Sequence, residues 1–122
     1  MYTVARFLGD ASAADWFFEL GEMMNSSRPA TFTGLRRRGE GFVCDVYKDG
    51  SWPDHERAIG EFVTAFADPI RRARDAGIIV TIDIALEVED RQHATAYVCV
   101  RFEPSLLLTL GSAQVRLEVT SY

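Results

Sequence analysis

Histidine and cysteine are scarce in this chain of 122 residues, which holds two of each. Cys44 and Cys99 stand far apart in sequence and match no metal-binding or redox spacing, so we interpret them as reduced thiols of a cytoplasmic protein. The chain has no Walker P-loop, no dinucleotide-binding fingerprint after a strand, no HExxH and no CxxC. We therefore expect no cofactor and no bound metal.

Long apolar runs are also missing. The first ten residues lack the apolar stretch of a signal peptide, and no segment approaches the roughly 20 apolar residues that a membrane span needs. The formal net charge of −5 argues against a nucleic-acid-binding protein, which is normally basic. We expect a cytoplasmic protein with no membrane or nucleic-acid partner, and the charge is compatible with a basic protein partner.

The strongest pattern that is present covers residues 51–88, where a helical period gives way to a strand period. Ser51 is a plausible N-cap with Asp54 in the capping-box position, and Gly77 follows the last periodic residue as a left-handed C-cap. Pro69 predicts either a kink or two helices that meet at Asp68. The apolar face repeats at steps of three, four and seven, and comprises Ile59, Phe62, Val63, Phe66, Ile70 and Ala73.

After Gly77 the apolar residues alternate, which predicts a strand with one apolar face and one more polar face. The apolar face comprises Val80, Ile82, Ile84, Leu86 and Val88. The other face comprises Thr81, Asp83, Ala85 and Glu87. We expect the helix to pack on the apolar face.

The rest of the chain supplies shorter elements. We predict strands at residues 2–8, 31–36, 42–48 (with Cys44 buried), 95–103 and 114–120, a helix from Ser12 to Asn25, and a short helix at 106–110 that stops at Gly111. The strand at 95–103 is expected to form a hairpin with the strand at 80–88. The order is β-α-β-β-α-β followed by β-α-β.

This order predicts a single α+β domain over residues 1–122. We expect two layers: a mostly antiparallel sheet of five to six strands, with two long helices on one face. The first six elements follow the ferredoxin-like βαββαβ succession, and the rest form a βαβ extension. The second sheet face is expected to be open to water or to a partner, and it carries Asp83, Glu87, Tyr97, Cys99, Arg101, Arg116 and Glu118.

Two charged clusters at predicted hairpin ends are candidate partner-binding sites. Arg36, Arg37 and Arg38 could hold a phosphate or an acidic surface, or could simply guard a sheet edge against aggregation. Glu87, Glu89 and Asp90 could contact a basic partner together with Asp83, or could form a plain solvated turn.

Catalytic residues are harder to find. His55, between Asp54 and Glu56, is either a solvated helix start or a metal or proton-transfer site, whereas His93 falls in a predicted turn. Nothing in the spacing brings Cys99 to a histidine as a nucleophilic dyad would need. We therefore expect no enzyme activity.

Two short segments carry a family resemblance. Pro29 with Arg38-Gly39-Glu40, and the closing segment FEPSLLLTLGSAQVRLEVTSY from Phe102 to Tyr122, resemble a widespread bacterial family of small domains of unknown function. That family often has a tryptophan in the strand before the long helix. In this chain that strand has no tryptophan, and Trp52 follows the strand. The resemblance implies no catalytic residues. In size, acidity and fold the family is similar to immunity proteins, which bind and block a toxin of the same bacterium.

Three functions follow as hypotheses. The first is a non-catalytic protein-binding domain, most concretely an immunity-type inhibitor of a cognate bacterial toxin. The second is a small-molecule-binding or regulatory ferredoxin-like module that acts as a homodimer. The third is a hydrolase or transferase that uses His55.

Overall fold

The computed structural model describes residues 1–9, 22, 41–86 and 100–121, together with the backbone of residues 33–38. Within these ranges the chain is α+β. The strands are β1 (Tyr2–Leu8), β2 (Thr33–Arg38), β3 (Gly41–Lys48), β4 (Ile79–Leu86) and β5 (Arg116–Ser121). The helices are α1 (Trp52–Ala65), α2 (Ala67–Asp75) and α3 (Pro104–Ala113). The predicted helix from Ser12 to Asn25 lies outside the described residues except for Glu22.

The strands form one mixed sheet in the order β2-β3-β1-β4-β5. The pairs β2–β3, β3–β1 and β1–β4 are antiparallel, and β4–β5 is parallel. The prediction of a mostly antiparallel sheet is therefore confirmed for the described strands. The ferredoxin-like succession also needs a helix between β1 and β2, where the structure describes little, so that finer assignment stays a prediction.

The predicted hairpin between residues 80–88 and 95–103 is wrong. Strand β4 pairs with β1 on one side and with β5 on the other, so neither side is left for a hairpin partner. Residues 100–103 have no regular secondary structure, and residues 95–99 lie outside the described ranges. The position beside β4 that we predicted for residues 95–103 is occupied by β5, which pairs parallel with β4.

The central helical stretch divides into two helices. Helix α1 ends at Ala65, α2 begins at Ala67, and Phe66 between them has φ −107° and ψ 26°. Pro69 therefore lies in the first turn of α2, where a missing N–H costs little. Of the two predicted outcomes, two helices are observed, and their junction lies two residues before Asp68. The prediction of two long helices is not met in the described residues.

Both predicted caps of this stretch are present. Asp54 Oδ2 accepts hydrogen bonds from Ser51 N at 3.1 Å and from Ser51 Oγ at 2.6 Å, and these bonds lower the pKa of Asp54. After α2, Gly77 has φ +79°. Its N–H donates to Arg74 O at 2.9 Å, and Ile78 N donates to Ala73 O at 2.9 Å, which is the Schellman arrangement.

Helix α3 is longer than predicted. It spans Pro104–Ala113 and ends at Gln114, which has a left-handed φ of +53°. Gly111 lies inside the helix and does not stop it. The helix leads through Val115 directly into β5.

The helices pack on one face of the sheet and form the core there. Phe62 and Phe66 have ring centroids 4.9 Å apart, and both are fully buried. The largest fully buried apolar side chains of this cluster are Phe7, Phe62, Phe66, Ile59, Ile70, Ile82 and Ile84. Cys44 is also buried, as predicted. The apolar face of β4 thus faces the helices, in agreement with the alternating pattern.

The opposite sheet face is closed at its centre, which corrects the expectation of an open face. The buried side chains there are Val4, Val43, Asp45, Thr81, Asp83 and Ala85. The alternating sequence pattern looked half polar because small and charged residues occupy these positions. In the structure Asp83 pairs with Arg6 and Asp45 pairs with Lys48, whereas Leu8 and Ile79 at one end of β1 and β4 are each 45% exposed.

Candidate functional site

Asp83 is the predicted partner-binding residue that the structure describes most fully, and it is an internal group. Its side chain is fully buried. Its Oδ2 forms a salt bridge with the Arg6 guanidinium, and Thr120 Oγ1 donates a hydrogen bond to Oδ1 at 2.7 Å. Because the carboxylate has partners on two neighbouring strands and no contact with solvent, it ties β1, β4 and β5 together. The prediction that Asp83 contacts a partner has therefore lost its premise.

The other predicted partner-binding residues are described in part or not at all. Arg36, Arg37 and Arg38 lie in β2, where their backbone pairs with Val43, Phe42 and Gly41 of β3. The structure describes the backbone of these three arginines only. Glu87, Glu89 and Asp90 lie outside the described residues, as does His93.

His55 is buried, so the expectation of a solvated helix start is wrong. It lies on the inner face of the first turn of α1, and its Nδ1 is 2.8 Å from Thr3 Oγ1 on β1. The Tyr47 ring of β3 meets the imidazole edge-on with centroids 4.9 Å apart. His55 Nε2 is buried without a hydrogen-bond partner among the described residues. The ring thus joins α1 to two strands.

The surroundings of His55 favour the neutral imidazole. Burial is the main cause that lowers the pKa of His55, and the positive amino terminus adds to it. The Asp49 backbone and the carboxylates of Asp54 and Asp49 act in the opposite direction but do not prevail. A buried histidine whose lowered pKa favours the neutral form fits a structural role, and this geometry does not favour the hypothesis of a His55-dependent enzyme.

Metal binding finds no support in the described part of the chain. No three histidine, cysteine, aspartate or glutamate side chains come together there in a way that could hold a metal ion. None of the helices in the described ranges has the length and apolar character that a membrane crossing requires.

A concave surface lies between α1 and α3, and we call it the acidic groove. It has a volume of about 740 Å³. Its lining residues are Pro53, Glu56, Arg57, Gly60, Glu61, Thr64, Ala65, Glu103, Ser105, Leu106 and Thr109. Three of these are glutamates and one is an arginine. Arg57 Nη2 already donates to Asp54 Oδ1 at 2.9 Å, so the glutamates dominate the charge of the groove.

Contacts at the start of α3 hold the walls of the groove in place. Glu56 Oε2 accepts a hydrogen bond from Glu103 N at 3.0 Å, which anchors the N-cap of α3 to α1. Trp52 Nε1 donates to Arg101 O at 2.6 Å, and the Trp52 ring meets Phe102 edge-on at a centroid distance of 5.4 Å. The groove is therefore preformed, because two helices and the segment before α3 are fastened to one another.

A second groove of about 590 Å³ continues along α3 toward α2 and shares Thr64 and Thr109 with the first. Leu108 forms part of its wall, and 71% of this side chain is exposed. Arg71, also in the wall, pairs with Asp68 at 3.0 Å. Leu108 thus shares the second groove with Asp68, Arg71 and Arg74, and this groove adjoins the acidic groove at Thr64 and Thr109.

Comparison with protein-family models, with curated proteins and with solved structures finds no match to this chain. The resemblance to a bacterial family therefore stays a hypothesis from sequence. Any functional conclusion rests on the geometry of the chain itself.

Sequence reasoning missed the acidic groove. The helical period leaves Glu56 and Glu61 off the apolar face of the helix, but nothing in the sequence shows that α3 lies beside them. One signal was available: helix α3 carries Leu106, Leu107 and Leu108 in succession. A helix packs on one stripe, so three consecutive leucines cannot all be buried by a single contact.

Proposed function

We propose that this chain is a non-catalytic protein-binding domain with a ferredoxin-like core, and that it acts as an immunity-type inhibitor of a bacterial toxin. The observation that carries the proposal is the acidic groove with the exposed Leu108 beside it. The net charge of −5 supports the same reading. The occupant that fits is a basic segment of the toxin.

The chemistry of the groove explains this choice of partner. Carboxylates accept strong charge-assisted hydrogen bonds from arginine and lysine side chains. Glu61 has no ion pair among the described residues, and in the groove it faces a partner unneutralised. A protruding leucine next to these charges supplies the apolar contact that interfaces place at their centre. Charge complementarity would also speed association at low salt.

The partner-binding surface moves from the sheet face to the helices in this proposal. Asp83 is no longer a contact residue, because it is buried. Glu87, Glu89 and Asp90 stay predicted contacts for a basic partner, and Arg36, Arg37 and Arg38 stay predicted contacts for acidic groups. The proposal does not depend on either set.

The test begins with the genes that flank the gene for this chain. Each flanking product is expressed in a bacterial host, alone and together with this chain. The proposal expects one product that stops growth, and expects co-expression of the chain to restore growth. It also expects the purified pair to bind, with an affinity that falls as salt rises.

Two matched variants locate the binding surface. Glu61→Lys reverses a charge inside the acidic groove and is expected to abolish protection and weaken binding at least tenfold, or about 1.4 kcal/mol. Asp75→Lys makes the same charge change on exposed α2 outside both grooves and is expected to protect like the unmodified chain. Equal loss in both variants, or no toxic flanking product that the chain binds, would count against the proposal.

A further inference from the structure

Strand β5 forms an edge of the sheet as far as the chain is described. It pairs with β4 on one side, and no described strand lies on its other side. None of its residues is buried. An edge strand presents unpaired N–H and C=O groups, which another strand can satisfy.

The charges of β5 are self-complementary. Arg116 and Glu118 are two residues apart and therefore project from the same face of the sheet. Their side chains are 57% and 43% exposed, and the Arg116 Nη1 to Glu118 Oε1 distance within the chain is 3.9 Å. An exposed pair at this distance contributes little to stability, so both groups are available to a second chain.

We propose that two copies of this chain pair through their β5 edges, antiparallel, about a two-fold axis at Leu117. In this register Arg116 of each copy lies opposite Glu118 of the other, which forms two ion pairs across the axis. An axis at Arg116 or at Glu118 would instead place identical charges opposite each other. Residues 116–118 of each strand face each other in this register, because residues 119–121 lie opposite residues 113–115, which precede β5.

One exposed apolar side chain at the same edge supports the pairing. Val119 pairs with Ile84 of β4, so it lies on the helix-covered face, yet 49% of it is exposed. Pairing along this edge would remove part of that apolar surface from water.

This pairing is independent of the proposed function. The acidic groove lies on the α1 side of α3, whereas β5 forms the far edge, so both surfaces are accessible at once. A chain that binds a toxin as a monomer, or a dimer that binds no toxin, would separate the two proposals.

Sedimentation equilibrium of the unmodified chain and of charge variants tests the pairing. The unmodified chain is expected to form a dimer. Arg116→Glu and Glu118→Arg, each alone, place like charges opposite each other and are expected to raise the dimer dissociation constant on the order of tenfold. The control is Arg71→Glu, the same change at an exposed site on α2, and it is expected to dimerise normally.

Mixing the two single variants is the experiment that tests the charge pairing most specifically. Mixing Arg116→Glu with Glu118→Arg restores opposite charges at both positions, so a heterodimer is expected from two chains that pair poorly alone. The double variant R116E/E118R is likewise expected to recover the dimer. Circular dichroism confirms that each variant is folded. A monomer at every attainable concentration, or a dimer that ignores the charge changes and shows no preference for the heterodimer, would overturn the proposal.

Discussion

At the scale of single residues, the ion pair of Arg6 and Asp83 shows how burial changes the meaning of a charge. Asp83 was a natural candidate for a partner contact because it stands at a polar position of an alternating strand. The structure gives it an internal partner 77 residues earlier in the chain and a hydroxyl donor on β5. Nothing near Asp83 in sequence announces either contact, so local pattern alone could not have found this pair.

The first prediction concerns this pair. Arg6→Met keeps much of the apolar stem but leaves the Asp83 carboxylate buried without a cation. We expect a loss of about 3 kcal/mol in the free energy of unfolding, measured by urea denaturation.

The matched control is Arg71→Met, which breaks an exposed pair with Asp68. Exposed pairs contribute little, so we expect a change within about 0.5 kcal/mol. Equal effects of the two substitutions would show that Asp83 is not the buried, dependent group described above.

The second prediction concerns His55 and pH. The folded-state pKa of His55 is lowered by burial, whereas in the unfolded chain it is near 6.5. Below that value the unfolded state binds a proton that the folded state does not, so the unfolded state gains stability. We therefore expect that His55 does not lower the stability of the fold above about pH 7. As the pH drops below about 6.5, we expect the melting temperature to fall.

The variant His55→Gln removes the titrating group and is expected to flatten the melting temperature over this pH window. His93→Gln, a change at the other histidine of the chain, serves as its control and should keep the slope. A slope that disappears with His93→Gln and persists with His55→Gln would contradict the account of His55.

At the scale of elements, sequence reasoning did well where local chemistry decides and poorly where distant pairing decides. Strand β1, the Ser51 cap and the Gly77 stop were predictable because each depends on a few adjacent residues. The pairing of β4 with β5 was not predictable, because the two strands are far apart in sequence and α3 lies between them in the chain. The break at Phe66 was predictable in kind from Pro69, but its position was not.

The third prediction uses two glycines with opposite roles. Gly77 has a left-handed φ of +79°, whereas Gly60 is helical in α1, and a Cβ at either would meet nothing within 4 Å. Gly77→Ala is expected to destabilise by about 1 kcal/mol because of backbone strain, and Gly60→Ala to stabilise by about 1 kcal/mol through helix propensity.

Because neither new methyl group meets a steric obstacle, backbone conformation decides whether each substitution raises or lowers the free energy of unfolding. Thermal unfolding of both variants measures them. Stabilisation by Gly77→Ala would mean that α2 does not end in the left-handed turn described.

At the scale of the whole molecule, the described part of the sheet is covered by helices on one face and buried at its centre on the other, and the two proposals use the outer surface of the helices and the sheet edge. The α+β class and the helix-facing side of β4 were predictable from alternation and helical period. The closed second face was not, because its buried positions include Thr81, Asp83 and Asp45, which alternate like solvent-facing residues. The candidate site was missed for the same reason: it depends on how α1 and α3 lie side by side.

Carboxyl-group footprinting by mass spectrometry tests this account most directly, with the toxic flanking product as partner. The account predicts that Asp83 is unreactive in every state, that Glu61 reacts in the free chain and is protected in the complex, and that Asp75 reacts in both. Labelling of Asp83 as readily as Asp75, or a Glu61 whose reactivity the partner leaves unchanged, would contradict it.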